Sequence, residues 1–158
     1  MNHLRPMTPE EFRLRMIRLV SEYAEDHVRA GQWTPEDAPR EAQKETDQLL
    51  PQGLDTPHHH FFSIVAPPQG EVAGNIWFCS KMAQEPGRGF VYDLYVDTAY
   101  RGQGLGRAAM VELEPFARSL GLRSIGLHVF GHNKVAIALY EKLGYAPTNI
   151  RMSKDLAP

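Results

Sequence analysis

The segment Arg101-Gly102-Gln103-Gly104-Leu105-Gly106-Arg107 stands between a strand pattern and a helix pattern, and no other stretch restricts the fold as much. Upstream, Phe90-Val91-Tyr92-Asp93-Leu94-Tyr95-Val96 is rich in β-branched and aromatic residues. Period-two alternation predicts Phe90, Tyr92, Leu94 and Val96 on one face and Val91, Asp93 and Tyr95 on the other. Downstream, Leu105, Ala109, Leu113, Phe116 and Leu120 recur at helical spacing, and Pro115 among them predicts a kink or an early break. Glycines at such a junction let backbone N–H groups approach an anion, and the helix N-terminus adds about half a positive charge. Arg101 and Arg107 add charge-assisted donors. On physical grounds the segment is a phosphate cradle.

Two nucleotide readings fail at named positions. A Walker A loop needs Lys followed by Ser or Thr after its last glycine, and Arg107-Ala108 stands there. The dinucleotide fingerprint needs a glycine where Arg107 is, and an acidic residue about 20 positions later, where Leu120 to Ser124 has none.

The first half reads as scaffold. Leu4-Arg5-Pro6 fits a short edge strand. Thr8-Pro9-Glu10-Glu11 is a helix start, with a cap, a first-turn proline and a capping-box glutamate. Phe12, Met16, Leu19, Tyr23 and His27 continue it as an amphipathic stripe, with Gly31 as the stop. Thr34-Pro35-Glu36-Asp37 predicts a second start, with an irregular first turn at Pro39 and an end before Pro51. Phe61–Ala66, the turn Pro67-Pro68-Gln69-Gly70 and Glu71–Cys79 predict an antiparallel hairpin. After the glycine loop and its helix, Ile125–Phe130 reads as a strand and Asn133 as the cap of a final helix. Ala136, Leu139, Tyr140 and Leu143 form its predicted buried stripe, Gly144 stops it, and Tyr145 with Ile150–Leu156 can supply the last strands.

Length and charge narrow the class. The 158 residues suit one domain, predicted over residues 1–158, with 42% apolar and 23% charged residues. A net charge of −2 argues against general affinity for nucleic acid. Residues 1–80 carry 7 basic and 12 acidic side chains and residues 81–158 carry 10 and 7, an asymmetry that suits a second half meeting an anion and a first half tolerating a cation. No run reaches the roughly 20 apolar residues of a membrane span. Met1–Glu11 lacks the pattern of a secretory signal, and the single cysteine, Cys79, permits no internal disulfide. The expectation is a cytoplasmic protein that engages neither membrane nor nucleic acid.

Several side chains invite a chemical role and each has a plainer one. His58-His59-His60 alternate along an extended chain, which works against convergence on one metal ion. Cys79, Trp33 and Trp77 read as packing residues. Asp93 inside an apolar strand is either a hydrogen-bonded structural carboxylate or a proton-handling group whose pKa burial raises. His128 is either a core histidine or a base, since imidazole titrates near neutrality. A metal pair from His128 and His132 is disfavoured by their strand-to-loop spacing.

The order Leu94-Tyr95-Val96, then Arg101–Gly106, a helix, a strand, Asn133, Ala136 and Leu139-Tyr140-Glu141-Lys142-Leu143-Gly144-Tyr145 resembles the GNAT superfamily of acyl-CoA-dependent N-acetyltransferases. The likeness is dense from Phe90 to Tyr145 and looser over residues 1–80. It implies an α/β (α+β) fold with a mixed, splayed central sheet flanked by helices, and acetyl-CoA as cofactor. Residues 90–145 would be the cofactor-binding core, and the helices and hairpin of residues 1–80 the acceptor side. By position, the backbone of Leu94, Tyr95 and Val96 would pair with the pantetheine arm, and an amide near Val96 would face the developing oxyanion. The amides of Gln103, Gly104, Leu105, Gly106 and Arg107, with Gly102 and Arg101, would hold the pyrophosphate. Asn133 matches a cofactor contact, and Tyr140, otherwise a packed aromatic, matches the usual general acid. His128 and Asp93 are the candidate bases for an alkyl amine of pKa about 10.4, with water as the other route. The resemblance implies direct acetyl transfer to a primary amine, small molecule or peptide, and is compatible with a homodimer. A non-catalytic acyl-CoA-binding regulatory or interaction module is the alternative, since it would keep the cradle without Asp93, His128 or Tyr140.

Overall fold

The computed structural model describes residues 2–158. Five strands and four α-helices follow in the order β1 (Leu4–Pro6), α1 (Pro9–Arg29), α2 (Ala38–Leu49), β2 (His59–Ala66), β3 (Glu71–Cys79), β4 (Arg88–Val96), α3 (Leu105–Ser119), β5 (Ser124–Leu127) and α4 (Lys134–Lys142). The chain falls into two units, one ending at Leu127 and one spanning His128–Pro158.

In the first unit the sheet order is β1-β2-β3-β4-β5. The first four strands pair antiparallel, and β5 pairs parallel to β4, so the sheet is mixed as expected. The β4–β5 ladder runs only from Arg88↔Ser124 to Val91↔Leu127. Among the described residues, β4 beyond Val91 pairs with β3 alone, from Trp77↔Asp93 to Gly74↔Val96. The expected splay is therefore a ladder that stops midway along β4.

A register shift explains the stop. Phe78 faces Val91 while Trp77 faces Asp93, which leaves Tyr92 as an extra residue in β4. Such a bulge bends and twists the strand. It also corrects the predicted alternation. Tyr92 stacks on Trp77 at 4.7 Å, whereas Asp93 bonds to Arg15 of α1 and Tyr95 lies 4.4 Å from the same guanidinium, so Tyr92, Asp93 and Tyr95 all meet the α1 side. Tyr92 and Asp93 share a face because the bulge skips one beat of the pleat.

Helices pack on both faces. On one, Phe12, Met16 and Leu19 of α1 cover Phe61, Trp77, Leu50 and Met7. On the other, Phe116 of α3 meets Phe62 at 5.2 Å and Phe78 at 6.3 Å, beside the fully buried Ile64, Ile76, Met110 and Leu113. Burying a side chain such as Phe78 contributes about 1.5–3 kcal/mol. The capping box at Thr8 and Glu11 forms as predicted, and Arg5 and Ser63 reach the same Glu11 carboxylate, which ties α1 to β1 and β2.

Some local expectations are corrected. The second helix starts at Ala38, not at Thr34, because Pro39 has no N–H and fits only a first turn. The helix α3 runs through Pro115 to Ser119, since that proline is exposed and its lost bond lies on the solvent side. Leu120 lies beyond the helix and is exposed, its place in the core taken by Met110 and Ala117. The strand predicted to Phe130 ends at Leu127, opposite Val91, where the bulge turns β4 away.

The second unit contains α4, capped by the Asn133 side chain on the N–H of Ala136 at 3.2 Å and closed at Gly144, whose φ is +90°. Its predicted stripe is half-buried, with no residue of α4 fully buried. No strand forms among residues 145–158, and Ile150, Met152 and Leu156 are exposed.

Candidate functional site

The glycine loop is fixed at both ends. Before it, the Asp97 N–H bonds Ala73 O at 2.8 Å, and Tyr100 Oη donates to Glu71 at 2.6 Å. After it, Leu105 is 6% exposed and anchors the start of α3 in the core. Gly102 and Gly104 have φ of +75° and +78°, and a side chain built at either would meet nothing within 4 Å. Glycine is thus required there by backbone conformation, and the space over the loop is open. The first-turn amides of α3 lack intrahelical acceptors, and Gly104, as the N-cap, offers no side chain to bond them. Arg101 Nε donates to Val96 O at 2.9 Å, joining the loop to the end of β4.

Beside the loop, the α1 face of β4 carries a charged cluster. The Arg15 guanidinium, 8% exposed, donates to both Asp93 carboxylate oxygens at 3.0–3.1 Å and to both Glu22 oxygens at 3.0 and 3.2 Å. Asn75 Nδ2 adds a 2.6 Å bond to Asp93 Oδ2. Burial pushes the Asp93 carboxyl up from its ordinary value, against the charge of Arg15 and the bonds from Asn75 and Arg15, which pull it down. Next along β4, Tyr95 lies among three guanidinium groups, Arg15 at 4.4 Å, Arg18 at 5.0 Å and Arg101 at 5.7 Å. Arg18 also donates to Tyr95 Oη at 2.7 Å.

The structure thus brings together Asp93, Leu94, Tyr95, Val96, Arg101 and the glycine loop within the first unit. His128, Asn133 and Tyr140 belong to the second. There His128 and Phe130 rings meet edge-on at 4.9 Å, Asn133 is a helix cap, and Tyr140 lies 5.8 Å from Tyr145. Sequence reasoning missed Arg15, Arg18 and Asn75. The available signal was Arg15 itself, a charge three residues after Phe12 and four before Leu19, on the apolar stripe of α1.

Members of the histidine run and the lone thiol have partners within the fold. His59 accepts from Trp77 Nε1 at 2.9 Å, and His60 Nε2 lies 3.1 Å from Ser80 Oγ, on opposite faces of β2. No group of metal-ligating side chains occurs among the described residues. Cys79 is buried, with its Sγ 3.3 Å from Lys81 O, and Trp77 is core. Among the described residues no helix is long and apolar enough to cross a membrane.

Comparison with known proteins agrees with this geometry. Residues 17–145 match the model of the acetyltransferase (GNAT) family. The chain is 40% identical over 153 residues to a protein described as an uncharacterized N-acetyltransferase, YycN, of Bacillus subtilis (strain 168), covering 97% of each. It is 37% identical to a second of the same description and organism, YdgE, again covering 97% of each. The crystal structure of YycN superposes with a TM-score of 0.90, covering 98% of both chains. A mixed sheet that parts beside a glycine loop, the family match and these relatives together show that the chain belongs to the GNAT family of N-acetyltransferases, whose members generally use acetyl-CoA and act on amines.

Proposed function

We propose that this protein moves an acetyl group from acetyl-CoA to a primary amine of a small molecule or peptide by direct attack in a ternary complex. The observation that carries this reading is the half of β4 beyond Val91, which has no ladder partner on the β5 side among the described residues and leads straight into the glycine loop. An unpaired strand edge offers N–H and C=O groups to an extended amide-bearing chain. Pantetheine is such a chain, and a pyrophosphate fits a positive-φ loop with open space above it and a helix N-terminus beneath. The residues present therefore fit the cofactor.

In this reading Leu94, Tyr95 and Val96 hold the pantetheine arm, while the amides from Gly102 to Arg107, with the Arg101 and Arg107 side chains, hold the pyrophosphate. When bound, acetyl-CoA supplies a thioester whose carbonyl carbon the amine attacks. A backbone N–H near Val96 donates to the carbonyl oxygen as negative charge grows there. Tyr140 Oη gives a proton to the departing sulfur. Both oxygens of Asp93 are held by Arg15 and Asn75, which favours a positioning role for it and leaves proton removal from the amine to His128 or to water. Asn133 serves as helix cap and as a cofactor contact. Direct transfer is favoured over a covalent acyl-enzyme because the one thiol, Cys79, is buried.

Isothermal calorimetry with acetyl-CoA tests this, with Gly104→Glu beside the wild type. Binding by the wild type that the variant loses supports the assignment and opens a screen of amines. A folded wild type that does not bind acetyl-CoA overturns it.

A further inference from the structure

A buried arginine with two carboxylates is costly to desolvate, and replacing such a group with apolar side chains is often neutral or stabilising. Stability alone therefore gives no reason for Arg15 to sit at 8% exposure on an otherwise apolar helix stripe. Its contacts suggest another reason. One guanidinium grips Asp93 at the bulge and lies 4.4 Å from the Tyr95 ring, so it holds the residues on both sides of Leu94. Asn75 grips Asp93 from β3, and Glu22 braces Arg15 from one side of α1. Arg18, near Asp97 at 3.8 Å and bonded to Tyr95, completes the charged groups from α1 that face this part of β4.

We propose that Arg15 is a positioning residue for acetyl transfer. From α1 its forked donors hold both Asp93 oxygens, fix the Tyr92–Asp93 bulge, and so set the backbone of Leu94–Val96 that receives the acyl carrier. The inference rests on the function proposed above for that half of β4. Without the Arg15 charge, the buried Asp93 keeps the Asn75 amide and the like charge of Glu22, and burial pushes its carboxyl further up, towards the protonated form. A neutral carboxyl no longer holds the bulge, and the backbone beyond it loses its aim. Lysine keeps the charge but not the forked donors, so it restores part of the effect.

The test combines acetyl-CoA calorimetry with pH profiles of coenzyme A release, using acetyl-CoA and the best acceptor from a panel of spermidine, tyramine and an alanyl peptide. For Arg15→Met, acetyl-CoA affinity should fall about tenfold, and the acid limb of kcat/KM should move up by about one pH unit. Arg15→Lys should recover part of both. The double variant Arg15→Met with Asp93→Asn leaves no unpaired buried charge and should fold. It should stay about tenfold weaker at every pH, with no displaced acid limb. Wild-type affinity and kcat/KM in the double variant, or an unshifted limb and unchanged affinity in Arg15→Met despite a lowered Tm, would overturn the inference while leaving the acetyltransferase reading intact. If the wild type itself neither binds acetyl-CoA nor releases coenzyme A, both fall together.

Discussion

The indole of Trp77 donates its Nε1–H to Nδ1 of His59 at 2.9 Å, across the β2–β3 pair. That bond requires a ring unprotonated at Nδ1. Burial, with His60 and His58 nearby, holds His59 below its ordinary value, so the fold prefers the neutral ring. The unfolded chain binds the proton first as pH falls, so this contribution is intact above about pH 6.5 and is lost below it. Thermal unfolding at pH 7.5 and pH 5.0 should show a fall in Tm. His59→Gln should show a smaller one, and an equal fall in both would remove His59 as the cause.

Glu11 gives the corresponding acid transition. Hydrogen bonds from Arg5, the Thr8 backbone and Ser63, with the Arg5 charge, outweigh burial and hold its carboxyl down at about 2. A depressed carboxyl stabilises the fold above its ordinary value of 4.5 and loses that effect as pH falls towards 2. After solvent screening, Glu11→Gln should cost about 1–2 kcal/mol at neutral pH and flatten the acid limb of stability. Chemical denaturation at pH 7 and pH 3 measures both.

Two glycines should respond differently to alanine. At Gly102 an added Cβ meets nothing within 4 Å, and the cost is the positive φ alone, about 1–2 kcal/mol. At Gly89 it would enter the Phe78 ring and press on Leu122, so Gly89→Ala should destabilise by about 2 kcal/mol or more, or fail to fold. Midpoints of denaturation that do not differ would show that the sheet yields at Gly89.

Tyr140→Phe separates chemistry from binding. Turnover should fall about 100-fold at neutral pH with acetyl-CoA affinity nearly unchanged. Unchanged turnover in steady-state assays would remove Tyr140 as the acid.

Much of the first unit was legible because local signals agreed with the fold. The capping box at Thr8, the hairpin around Pro67–Gly70 and the glycine loop each carry their own chemistry in a few adjacent residues. The bulge at Tyr92 was not legible, because alternation is read by counting and an extra residue is visible only against the partner strand. Arg15 was missed for a related reason. Its partners Asp93 and Asn75 lie far along the chain, and a charge on an apolar stripe reads as an imperfection until they are seen. The end of β5 depends on the same bulge, so the sequence run to Phe130 overstated it.

The extra residue in β4 also makes one position of the strand dispensable to its register. Deleting Tyr92 would join Val91 to Asp93, opposite Phe78 and Trp77, and restore a regular pleat. Asp93 and Tyr95 would keep the face that meets α1, and only the stack of Tyr92 on Trp77 would go. A one-residue deletion between Asp93 and Val96 is the opposite case, because the period of two then turns the residues beyond it to the other face.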